Sequence, residues 1–111
     1  MIDHTLRAIG GAVNAELVLA TKDHGKYFHS PHEGYGVLME EVWEAQMHTG
    51  SLSALADNLL MLLHHVEDSP DAYIRQLDKI KDQALHGAAE LCQVAAMCEK
   101  GMRSMRNNRK E

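Results

Sequence analysis

The chain has 111 residues, close to half of them apolar, with two cysteines and a net charge of −5, which fits one domain with a modest core. No run of about eighteen apolar residues marks a membrane span, and "MIDHTLRAIGG" lacks the basic region, apolar stretch and cleavage site of a secretory signal, so a cytoplasmic protein is expected. The acidic total argues against binding to a nucleic-acid backbone.

The first predicted helix runs from about Asp3 to Lys22, with Leu6, Ile9, Val13, Leu17 and Ala20 on one face. "KDHGKYFHS" breaks it, with Gly25 as the stop. Ser30, Pro31 and Glu33 then form an N-cap, a first-turn proline and a capping-box acid, which start a second helix. That helix is expected to end at Gly50. A third begins near Ser51 or Ser53 and carries Leu55, Leu59, Leu62, Leu63 and Val66. Ser69-Pro70-Asp71 opens a fourth, running beyond Lys100 with an interruption near Gly87. Cys92 and Cys98 lie on it and point to different faces, so they cannot bridge locally and are read as reduced thiols. Short connections favour an antiparallel four-helix bundle. Its apolar faces exceed what one small bundle needs, so an oligomer is expected. From Lys100 onward Arg103, Arg106, Arg109 and Lys110 face only Glu111, a basic tail read as a solvated end fraying from about residue 103.

The second helix poses an electrostatic question. Glu41 and Glu44 lie about 60° apart around it, with Glu40 on the same side, next to the apolar stripe of Leu38, Val42 and Ala45. No lysine or arginine stands between Tyr27 and Tyr73 to soften the repulsion. Two readings are open: a solvated acidic face, where such pairs cost only about 0.2–0.5 kcal/mol each, or a site for a hard cation, magnesium or manganese. On the fourth helix Asp82, His86, Glu90 and Gln93 share a stripe of about 80°, opposite Ala84, Ala88, Leu91 and Ala95. That stripe is either solvated or the second half of such a site. Gly34 and Gly36 point to close approach by another backbone or a ligand, and Trp43 and Tyr35 to core or interface. A di-iron carboxylate bundle is disfavoured, because Glu44 and His48, and His86 and Glu90, are four residues apart where a Glu-x-x-His spacing is needed.

"SPHEGYGVLMEEVWEAQ" followed by "ALHGAAELCQVAAMCEKG" resembles the phage-type branch of the MazG-like, all-α nucleoside triphosphate pyrophosphohydrolases. The resemblance implies a four-helix, Mg2+-dependent fold (Mn2+ as the alternative) that cleaves nucleoside triphosphates between the α and β phosphates. Carried over by position, Glu41 and Glu44 are the first pair of metal ligands and Glu90 opens the second. Gln93 occupies the place where the family has aspartate. Glu40 leads the motif and would help to hold metal or orient the attacking water. Lys22, Lys26 and His86 are the candidate substrate-binding residues, with Asp82 or His86 as substitute ligands. "SLSALADNLLMLLHHVEDSPDAYIRQLDKI" looks like an enlarged connection between the motifs. The expected partner besides substrate is another copy, as a homodimer or homotetramer. The alternative is a non-catalytic helical binding or assembly module on the same scaffold.

Overall fold

In a computed structural model, which describes the backbone of residues 2–110 and the side chains of residues 2–107, three α-helices account for almost the whole chain. They are α1 (Ile2–His24), α2 (Pro31–Leu63) and α3 (Pro70–Lys110). No strand occurs among the described residues, and none of these helices is long and apolar enough to cross a membrane.

α1 places Asp3 in its first turn and Lys22 and His24 in its last, the arrangement its dipole favours. Gly25 ends it at a φ of 89°, donating its N–H to Thr21 O at 3.0 Å. α2 starts as its sequence indicates: the Ser30 hydroxyl accepts from the Glu33 N–H at 3.1 Å, and Pro31 occupies the first turn. It does not stop at Gly50. The expected second and third helices are one continuous helix of 33 residues, so the described chain has three helices rather than four. Nor does Gly87 interrupt α3, which is 41 residues long.

The reason lies in how α2 and α3 pack. They run antiparallel, with the Gln76 amide donating to Leu55 O and Ser51 donating to Gln83 Oε1 across the pair. A Cβ on Gly87 would lie 3.2 Å from Thr49 Cγ2 and 3.7 Å from His48 Cβ. Gly87 is thus a point of close helix approach. Around Gly50, Thr49 Oγ1 and Ser51 Oγ bond back to Ala45 O and His48 O without unwinding the helix.

α1 packs on α3 alone and makes no close approach to α2. The molecule is a rod of 68 × 28 × 22 Å, and its small core gathers Leu17, Phe28, Ala45, Cys92 and Ala96. Trp43 and Tyr35 are not in it, being 59% and 66% exposed. Near the C-terminal end of α3, Lys100 and Ser104 are buried, whereas Met102, Arg103, Met105 and Arg106 are exposed, with Arg103 paired to Glu99 at 3.2 Å on the same helix. The side chains of Arg109 and Lys110, and Glu111, lie outside the described residues.

Candidate functional site

Because α2 and α3 are antiparallel, the middle of the acidic helix faces the stretch of α3 around Glu90. Carboxylate oxygens of Glu41, Glu44 and Glu90 lie within 4.8 Å of one another. Glu41 and Glu90 are partly buried, whereas Glu44 is exposed. Burial, and then the crowding of like charges, raises the proton affinity of two of these acids. The Glu41 carboxyl is pushed above its ordinary value first by desolvation, then by the charges of Glu44, Glu90, Glu40 and Glu16. Glu90 is raised by burial and by a hydrogen bond and like charge from Glu44, while His48 and His86 pull the other way.

Gln93 spans the two helices. Its amide is assigned with nitrogen toward the acids, because an oxygen there would face only acceptors. In that orientation the NH2 donates to Glu41 Oε2 at 2.6 Å and to Glu90 Oε2 at 3.2 Å. Gln93 therefore meets the cluster as a donor that tempers two carboxylates. To act as a fourth oxygen ligand it must turn its amide over.

A polar chain continues along the seam. His48 Nε2 is 3.9 Å from Glu90 Oε1, and its Nδ1 lies 3.2 Å from Gln83 Oε1. The His86 ring stacks beside His48, with centroids 5.7 Å apart, and its Nε2 reaches Asp82 at 3.6 Å. His86 thus flanks the cluster without entering it.

On the other side of the cluster, where α1 and α2 diverge over α3, opens a cleft of about 680 Å³. Glu40, Glu41 and Gln93 line one part of it; Glu16, Asp23 and His24 contribute from α1. Lys22 and Lys26 do not line it, and Lys26 instead lies over the Tyr27 ring at 5.6 Å. The lysine that does line it is Lys100, 3% exposed, with its ammonium 4.6 Å from the centroid of the Phe28 ring. Ser104 fixes that arrangement. Its hydroxyl accepts from the Phe28 N–H at 2.8 Å and donates to Lys100 O at 2.8 Å. Gly34 leaves room for the ring, since a Cβ there would be 3.0 Å from Phe28 Cδ2. Gly36 has no such neighbour. Lys100 was legible only as one charge of a basic tail, although it stands two turns beyond Gln93 on the same face.

The donor set fits a hard divalent cation: it is all oxygen, comes from two helices, converges, and carries uncompensated negative charge. The chain matches no protein-family model, no curated protein and no solved structure.

Proposed function

We propose that the protein is a magnesium-dependent nucleoside triphosphate pyrophosphohydrolase, converting a (d)NTP into a (d)NMP and pyrophosphate. The observation that carries the reading is the convergence of Glu41, Glu44 and Glu90 beside a cleft that contains both acids and a lysine. These three glutamates would hold the cation, Mg2+ or Mn2+. A bound divalent cation supplies charge neutralisation at phosphate oxygens and acidifies water. Glu40 is exposed and lines the cleft, so its carboxylate is free to take the proton of the attacking water. Leu19, Val37 and Met97 give the same cleft apolar walls, suited to the base and sugar.

The proposal extends to assembly. The accessible surface is 8315 Å², whereas a folded monomer of 12.4 kDa is expected to expose roughly 6,100 Å². An excess of roughly 2,000 Å² per chain is what an obligate homodimer buries. Exposed Trp43, Met47, Leu60, Ile74, Leu77 and Leu85 lie along the α2–α3 hairpin. Two such hairpins related by a two-fold axis complete a four-helix bundle.

Phosphorus NMR of the products tests the chemistry: nucleoside monophosphate and pyrophosphate are expected, and diphosphate with orthophosphate contradicts it. A second reading, a non-catalytic nucleotide-binding module, is favoured by one observation, the nitrogen that Gln93 turns toward the carboxylates. Tight binding without turnover in calorimetric titration distinguishes it.

A further inference from the structure

The cleft contains a contradiction that its acids do not explain. Glu16, Asp23, Glu33, Glu40 and Glu41 line it, yet so does one ammonium, on Lys100. That side chain is 3% exposed. Among the described residues its ammonium makes no hydrogen bond or ion pair; its neighbour is the face of Phe28. No fully buried side-chain nitrogen or oxygen lacks a partner among the described residues, so the unpaired ammonium opens onto the cleft that it lines, held there by a cation–π contact alone. Five acids stand around the same cleft, and none lies within ion-pair distance of it.

A cation held in this way has its donors available for an anion entering the cleft. The position matches an elongated ligand. Gln93 and Lys100 are two turns apart on one face of α3, about 10 Å along the axis, and Ala96 and Met97 floor the space between them. A ligand lying along the cleft meets the carboxylate cluster at one end and the ammonium at the other. An acidic cleft repels a bare polyanion, so the ligand reaches it as a complex with a divalent cation.

We propose that Lys100 is a phosphate-binding residue, and that the cleft takes a phosphate chain whose end remote from the carboxylate cluster rests on its ammonium. Phe28, Ser104 and Gly34 are positioning residues for it: the ring supports the charge, the hydroxyl ties the ring's backbone to α3, and the missing Cβ admits the ring. The inference rests on the reading of the cleft as a triphosphate site, but it concerns binding and is testable without turnover.

The probe is inorganic tripolyphosphate with magnesium, titrated calorimetrically into the full chain. Lys100→Met is expected to weaken binding at least tenfold while melting close to wild type, because methionine keeps most of the apolar stem that packs in the site. Lys100→Arg, which keeps the charge, is expected to retain most of the affinity. In the wild type, the side-chain carbon resonance of Lys100 (assigned by its loss in Lys100→Arg) should shift on addition of tripolyphosphate. This last measurement needs no methionine variant to fold. Unchanged affinity in folded Lys100→Met, no binding by wild type, or an unmoved Lys100 resonance each overturns the proposal. Binding that depends on Lys100, with no pyrophosphate released from any nucleotide, leaves it standing and removes only the catalytic reading.

Discussion

A carboxylate placed like Glu41 carries a cost that depends on pH. Glu41 and Glu90 both have raised carboxyl pKa values, so the folded chain binds their protons more tightly than the unfolded chain does. The stability from this source is complete below the unfolded glutamate value of about 4.3, and it is lost as pH rises through the raised folded values. In chelator at pH 7, Glu41→Gln is therefore expected to melt a few degrees above wild type, with the gap narrowing toward pH 4. Magnesium should raise the wild-type melting temperature and leave the variant nearly unmoved; equal responses contradict the cation site. Gln93 gives a second test. Gln93→Asp replaces a donor to Glu41 and Glu90 with a fourth negative charge. Magnesium affinity by calorimetry should rise about tenfold, because ligand charge tunes such sites, while stability in chelator falls.

At the scale of elements, the glycines separate what was readable from what was not. The start of α2 was legible because an N-cap is a local device: Ser30, Pro31 and Glu33 are neighbours in sequence and meet in the structure. Gly87 reads as a break in sequence because the neighbour that explains it, Thr49 on α2, is distant along the chain; Gly50 reads as one because glycine is the usual helix stop, whereas α2 runs through it with open space around it. The acidic pair Glu41 and Glu44 is visible from spacing and missing counter-charges, and spacing also places Glu90 on the candidate second stripe, with the resemblance singling it out from Asp82 and His86. Lys100 was missed because its burial depends on Phe28, which the Ser104 hydroxyl ties to α3 from another part of the chain. Two substitutions check these roles by thermal denaturation. Gly50→Ala meets open space on a helical backbone and should stabilise by about 0.5–1 kcal/mol; a loss would mean that Gly50 caps a helix. Gly34→Ala pushes on the Phe28 ring and should destabilise by about 1 kcal/mol, whereas Gly36→Ala, with nothing near it, should not.

The molecule as a whole is long, thin and poorly enclosed. A three-helix rod of 68 Å with so small a core leaves the far half of the α2–α3 hairpin without a third layer, because α1 covers only α3. The four-helix arrangement expected of one chain is thus proposed to arise from two. Light scattering should give a mass of twice 12.4 kDa or a higher even multiple, and a charged residue at Leu60 or Leu77 should lower it; a monomeric wild type contradicts this. The carboxylate cluster stands where the hairpin meets the α1 cleft, so the proposed chemistry and the proposed assembly would draw on the same two helices. The most direct measurement is pyrophosphate release from the common (d)NTPs with magnesium, comparing wild type with Glu41→Gln. Release by wild type from at least one nucleotide, reduced about 100-fold or more in the variant, is the predicted result. No release above the variant for any nucleotide would contradict the catalytic account.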